Sequence, residues 1–219
     1  MARTGPAPEP SPSTPSSSVS QSDPSKFSRS SVRYAFFSAK AHTLFWSVTA
    51  LGFASDFISK RWALKAIGIP GESGQFLAPG AGKNPIVLIE NYLTLNTLHN
   101  PGAVTGLLSG RTGLLIAASA LALVFLFWLY STSRANQWVT HIALGMLFSG
   151  ALGNMYDRIF NDGKVIDFIE VDLHFWVFNP WPTFNLADVW LCVGVGVLIL
   201  TFLKGDHPAA DKKNRTVSP

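Results

Sequence analysis

Four apolar stretches, each close to the length a helix needs to cross a bilayer, restrict this chain to a small set of architectures. They run at 41–59, 113–130, 137–156 and 187–203, against the ~20 residues that a helix rising 1.5 Å per residue needs to span hydrocarbon. The first is the weakest, because Asp56 sits near its end. The third is interrupted by Gly145, Ser149, Gly150, Ala151 and Gly153. Small residues let helix backbones approach closely, so this segment is expected at the centre of a bundle. The fourth contains Gly194 and Gly196. Hydrophobic residues make up 47% of the chain and charged residues 14%, well below the roughly 25% charged of an ordinary soluble domain.

Between the first two stretches lies a segment of about fifty residues. The part from Gly68 to Lys83 is rich in Gly and Pro and reads as loop, whereas Ile86–Thr97 alternates as a strand does, Leu93 and Leu95 against Tyr92, Thr94 and Asn96. The expected fold class is therefore a membrane all-α bundle of four transmembrane helices with a small extracytoplasmic β-sheet platform. Residues 33–203 form its single domain. Ser and Pro supply roughly half of residues 1–32, so this stretch reads as a disordered tail. It does not read as a secretory signal, because the first apolar run starts far too late. Residues 204–219 read as a second, basic, disordered tail.

Lys and Arg set the orientation. With the N-terminus inside, ten basic residues fall on the cytoplasmic side (Arg3, Lys26, Arg29, Arg33, Lys40, Arg134, Lys204, Lys212, Lys213, Arg215) and seven outside (Lys60, Arg61, Lys65, Lys83, Arg111, Arg158, Lys164). Both termini are thus expected in the cytoplasm. The net charge of +4 is small and forms no groove-like block, which argues against a nucleic-acid partner. Cys192, the single cysteine, lies among Leu and Val and reads as packing.

On this topology the unusual polar groups gather at the outer membrane face. Asp56 and Lys60 end the first span, Asn100-Pro-Gly102 precedes the second, and Asn154, Asp157 and Arg158 close the third. Asp167 lies in the link that follows, and Asn185 to Asp188 open the fourth span. A carboxylate near hydrocarbon costs about 2.5–3.5 kcal/mol even on lenient insertion scales, so it is a functional candidate. Two carboxylates brought together cannot both ionise easily. A pair that shares one proton and activates a water is the electrostatic basis of aspartic proteolysis, and Asp167 with Asp188 is the candidate pair.

Each residue also has a plainer reading. Asp188 is placed where a carboxylate suits a helix N-terminus, with Asn185 as cap, and Asp167 is placed where a loop acid would meet water. Asp56 and Lys60 have the i, i+4 spacing of ordinary helix support. Asn100 before Pro101-Gly102 suits a turn or a grip on substrate backbone. Asp157 reads as an ion-pair partner, and Arg158 as an interfacial arginine or as a guanidinium for a backbone carbonyl or lipid head group. The five histidines have no metal-ligand spacing, so neither metal nor cofactor is expected. Gly80-Ala-Gly-Lys83 lacks the remaining residues of a phosphate loop, no Gly-x-Ser-x-Gly elbow is present, and Ser59 beside Lys60 points away from it on a helix. A proton-coupled transporter using the same acids as a relay is the alternative from another class; it predicts mid-membrane acids and repeat symmetry.

Taken together, Asp56-x-x-Ser-Lys60, Asn100-x-Gly-Ala103, Gly150-Ala-Leu-Gly-Asn-x-x-Asp-Arg158, Gly163-Lys-Val-Ile-Asp-Phe-Ile169 and Phe184-Asn-Leu-Ala-Asp188 resemble bacterial lipoprotein signal peptidase, the type II signal peptidase. The resemblance spans about 41–203 and neither tail. It implies a metal-free aspartyl endopeptidase of the bacterial inner membrane, probing no cofactor and acting at the extracytoplasmic face. Its substrates are prolipoproteins whose lipobox cysteine already carries diacylglycerol, cleaved just before that cysteine. Lipid and lipidated substrate are the implied partners, and a monomer is the expected state. By motif, Asp167 and Asp188 are the implied catalytic pair. Asn100, Gly102, Asn154, Arg158, Asn185 and Ala187 are implied to line the substrate site, with Asp56 and Lys60 in support. Two positions depart from the family pattern: Thr105 stands where an aromatic residue is usual, and Ser149 replaces the first of a usual Gly pair.

Overall fold

The computed structural model describes residues 1, 5, 33–68, 84–102, 108, 110–174 and 181–204. The expectations for the 1–32 tail, for Thr105, for most of the Gly68–Lys83 loop and for nearly all of 204–219 lie outside these residues. Within 33–204 the order of elements is α1 (Ala39–Ala66), β1 (Ile86–Ile89), β2 (Leu93–Asn100), α2 (Thr112–Thr132), α3 (Trp138–Phe160), β3 (Val165–Val171) and α4 (Leu186–Leu203). Two of the four helices, α2 and α4, are long and apolar enough to cross a membrane, each with mean hydropathy 2.3. Their outer faces carry bare hydrophobic side chains such as Leu121, Val124, Ile199 and Phe202.

Helix α1 runs seven residues past the expected end at 59. The polar pair that seemed to end it is satisfied within the protein: Lys60 Nζ donates to Asp56 Oδ2 at 2.7 Å, one turn back on the same helix. Ser38 caps the start, its Oγ accepting from Ala41 N. Helix α3 touches each of the other three helices, as its small residues predict. A Cβ on Gly150 would strike the carbonyl oxygen of Ala187 and the side chain of Leu191 on α4, so only Gly permits that approach. On the opposite side Ser149 is fully buried and faces Gly52 of α1.

The three strands form one antiparallel sheet in the order β1-β2-β3. The expected strand 86–97 is in fact a hairpin, β1 and β2 turning through Asn91 at φ 62°. The alternation read from Leu93 and Leu95 fails beyond Leu95 because the β2–β3 register shifts between Leu95 and Leu98. There Asn96 and Thr97 are buried, Asn96 donating to Glu170 Oε2 and Thr97 Oγ1 to the Gly68 carbonyl. The third strand corrects the sequence reading most. The link holding Asp167 is a strand, with Asp167 opposite Leu98, entered through a tight turn in which Gly163 takes φ 80°.

Two apolar clusters hold these parts. Phe45, Tyr130, Ala41 and Leu144 pack at one end of the bundle, with Phe45 stacked on Tyr130 at 4.2 Å between ring centroids. At the other end Ala63 of α1 and Ile67 just past its C-terminus meet Phe168 of β3, fixing the sheet to the helical bundle.

Candidate active site

The start of α4 is positioned by the sheet. Phe184 N donates to the Ile169 carbonyl at 3.0 Å, and Phe168 N and Ile169 N both donate to the Phe184 carbonyl. This bridge lays Phe184 along β3, so the next residue, Asn185, arrives beside Asp167. Asn185 then begins α4 in a capping box. Its Oδ1 accepts from Asp188 N at 3.1 Å, and Asp188 Oδ2 accepts from Asn185 N at 3.2 Å. The Asn185 amide nitrogen is left free to turn outward. It donates to Asp167 Oδ1 at 2.6 Å and to Asn154 Oδ1 at 3.2 Å.

Both carboxylates therefore hang on one asparagine, and their remaining oxygens are also engaged. Asn100 Nδ2 at the end of β2 donates to Asp167 Oδ2 at 2.9 Å. Asn154 Nδ2 on α3 donates to Asp188 Oδ1 at 2.8 Å. The environments differ. Asp167 is 2% exposed, whereas Asp188 is half-buried. Burial, followed by the negative charge of Asp188, pushes the Asp167 carboxyl up to about 7, with the Asn100 and Asn185 hydrogen bonds acting in the opposite direction. A buried acid raised by a neighbouring acid is the pattern that keeps one proton on a pair near neutral pH.

Beneath the pair lies a charged scaffold. Lys60 Nζ reaches Asp56 Oδ2 at 2.7 Å, Asp157 Oδ2 at 2.9 Å and Asn154 Oδ1 at 3.4 Å. Asp56 Oδ1 accepts from Ala187 N at 2.9 Å, satisfying one of the orphan donors in the first turn of α4. Asp157 Oδ2 accepts from Ile166 N at 3.1 Å, the residue before Asp167. One ammonium thus ties α1 and α3 together, and its two acids reach α4 and β3. The sequence reading of Asp157 as an ion-pair partner stands, but its partner on α1 had no signal in spacing along one helix.

Arg158 lies one turn beyond Asn154. It donates to the Asn154 carbonyl at 3.2 Å and to the Gly102 carbonyl at 3.0 Å. Asn100 Oδ1 accepts from Gly102 N at 3.0 Å, so Asn100 both closes the turn and touches Asp167. Ala187 is fully buried against Gly153, and through its N–H it belongs to the scaffold rather than to an open wall. Ser59 Oγ donates to its own helix at the Asp56 carbonyl, and no Ser–Lys pair forms. Among the described residues no cluster of His, Cys, Asp and Glu is arranged to hold a metal ion.

Comparison with known proteins identifies the family. The family described as Signal peptidase (SPase) II matches residues 48–204. The chain belongs to the signal peptidase II family. A lipoprotein signal peptidase of Clostridium novyi is 33% identical over 157 residues, which is 72% of this chain and 95% of that protein. One of Syntrophotalea carbinolica is 37% identical over 116 residues, 52% of this chain and 70% of that protein. A solved structure described as a bacterial membrane enzyme superposes with a TM-score of 0.60 at 25% identity, covering 85% of this chain and 99% of the other. Signal peptidase II proteins are membrane proteases, and all the motif segments named above fall within the matched region, with α1 entering it partway.

Proposed function

We propose that this chain is a membrane aspartyl endopeptidase that removes signal peptides from diacylglyceryl-modified prolipoproteins, cleaving before the lipidated cysteine. Membership of the signal peptidase II family supports the substrate class. The observation that carries the reaction type is Asn185 holding both acids at once, Asp167 through its side-chain amide and Asp188 through its backbone N–H. On this reading Asp167 is the protonated partner, because it is the more deeply buried of the two. Asp188 is the ionised partner and general base. It takes a proton from a water, whose oxygen attacks the scissile carbonyl while Asp167 donates a hydrogen bond to the carbonyl oxygen. Collapse of the tetrahedral intermediate breaks the C–N bond. The proton gained by Asp188 passes to the departing amine, and the pair returns to its single-proton state.

The remaining groups have positioning or binding roles. Asn154 and Asn100 orient the two carboxyls, and Lys60 with Asp56 and Asp157 fixes the elements that bear them. Arg158 holds the carbonyl of Gly102, which leaves the backbone around Asn100–Gly102 as the edge over which an extended peptide lies. All four helices cross the membrane in this reading. Both termini are cytoplasmic and the pair faces the extracytoplasmic side. The diacylglyceryl group occupies the bilayer, which sets the cysteine at interface depth. No observation favours a proton-relay transporter, since the acids stand on a strand and at a helix start rather than within facing helices.

The test is incubation of purified protein in lipid with a lipidated precursor and with its unlipidated form. Cleavage of the lipidated form alone, abolished in Asp167→Asn and in Asp188→Asn, is the expected result. Turnover that survives either substitution overturns the dyad, and equal cleavage of both precursors overturns the substrate class.

A further inference from the structure

The end of the bundle away from the carboxylates has its own architecture, which the reaction does not use. Lys40 lies 16 residues before Asp56 on α1, a separation of about 24 Å along a helix. Just ahead of α1 the chain forms a strap across the α2–α3 turn. Ala35 N donates to the Ser133 carbonyl and Ala135 N to the Arg33 carbonyl, both at 2.8 Å, around an antiparallel bridge between Tyr34 and Arg134. Ala35 is fully buried and anchors the strap in the Phe45–Tyr130 cluster. His42 ties it from the other side, donating from Nε2 to the Phe36 carbonyl at 2.8 Å.

The anchored strap nevertheless turns its aromatic side chains outward. Tyr34 and Phe36 are each 48% exposed and Phe37 is 70% exposed. Together with Phe127, Ser131 and Thr132 they line a recess of about 310 Å³, within the lower range of ligand sites. Arg33 and Lys40 are exposed beside it and Arg134 is half-buried. No Asp or Glu occurs between Arg33 and Ala54 or between Thr112 and Tyr156, so no acid on the first four turns of α1, on α2 or on the first five turns of α3 offsets these cations. The α1 N-terminus adds positive potential at the same level.

We propose that the strap and the α2–α3 turn form a binding site for one anionic phospholipid, its phosphate among Arg33, Lys40 and Arg134 and an acyl chain in the aromatic recess. Three cations with no counter-acid beside them among the described residues match an anionic head group. The recess is apolar where a chain would enter and has hydroxyls of Ser131 and Thr132 at its rim. Exposed Trp46, Trp128 and Trp138 surround this end with the amphipathic rings that favour the head-group region. The site is separate from the carboxylates, so it stands or falls independently of the proteolytic reading.

The experiment measures lipid retention by native mass spectrometry and melting temperature for the purified chain with phosphatidylglycerol, phosphatidylcholine or soluble glycerol phosphate. Retention and stabilisation by phosphatidylglycerol above the other two is expected, each basic side chain contributing about five-fold. Arg33→Gln with Lys40→Gln, both at exposed positions, is expected to remove most of that preference. Arg61→Gln with Lys65→Gln, which subtracts the same charge at the far end of α1, leaves it in place. Phe37→Ser is expected to weaken phosphatidylglycerol retention while leaving the response to glycerol phosphate unchanged. Equal retention of the two phospholipids overturns the proposal. So does equal stabilisation by glycerol phosphate, which would make the recess irrelevant, or an unaltered preference in the Arg33/Lys40 variant.

Discussion

The two ends of this bundle are built by opposite means. At the carboxylate end, Asp56, Lys60, Asn185, Asp167 and Asp157 are buried beside the small Ala63–Ile67–Phe168 cluster, and directional bonds join them from α1 to α3, α4 and the sheet. At the other end contact area dominates: Phe45, Tyr130, Leu144 and Ala41 pack together, with His141, hydrogen-bonded to Ser133, as the buried polar exception. Area tolerates small displacements, because dispersion and burial change gradually with distance. A network of charged and amide groups does not, because a half-satisfied buried group costs more than an apolar one. The site therefore sits where geometry is most tightly specified, and the aromatic end serves as its foundation.

The sharpest way to break this contrast is to remove one acid. Asp167→Asn or Asp188→Asn should lower cleavage of a lipidated precursor by about 10²–10⁴-fold, while the protein keeps its fold. A gel-shift assay alongside a melting curve separates the two effects. Next in size is Phe45→Ala, which opens the stacked aromatic cluster and should cost about 3–5 kcal/mol of stability. Its turnover per folded molecule should remain within about two-fold of the parent, since the distance to the carboxylates leaves little coupling. A large loss of turnover without loss of stability would erase the proposed division between the ends.

The third prediction uses pH. Asp167 is raised from 3.8 to about 7 in the folded chain, so its neutral form contributes stability that is complete below about 4 and is lost as pH rises through about 7. Asp167→Asn keeps a neutral side chain at every pH. The stability of the variant relative to the parent should rise by roughly 2–4 kcal/mol between pH 4 and pH 8, on top of a pH-independent cost for the one amide donor that Asn cannot accept. Denaturant midpoints at the two pH values check this, and a difference that is constant or that falls as pH rises would show that Asp167 is not the group carrying the proton. The smallest effect is expected from Gly150→Ala. The added methyl strikes the Ala187 carbonyl and Leu191, and such overpacking costs about 1–3 kcal/mol. Because Ala187 precedes Asp188, turnover should fall with stability here, unlike in Phe45→Ala.

The carboxylate pair was legible in the sequence because its parts fall beside long apolar runs, where an acid needs a reason. The central place of α3 was legible because Gly145, Gly150 and Gly153 leave room for neighbours. The extension of α1 was hidden, since Asp56 and Lys60 looked like a boundary until Asp157 from another helix was seen to share the ammonium. The strand holding Asp167 was hidden for a related reason. In Val165–Val171 the first four residues, including Asp167, are all buried, so the two-residue alternation that betrays a half-exposed strand is missing. Its other cue is the backbone bridge to Phe184, and pairing between segments separated in sequence leaves no periodic trace.

Asn185 has a consequence for how the protein comes into being. The same residue that starts the last helix also gathers both acids, one through its side chain and one through its backbone N–H, so winding that helix and aligning the reactive centre are one event. Docking of the last helix therefore sets the register of the acids in the same step that completes the bundle.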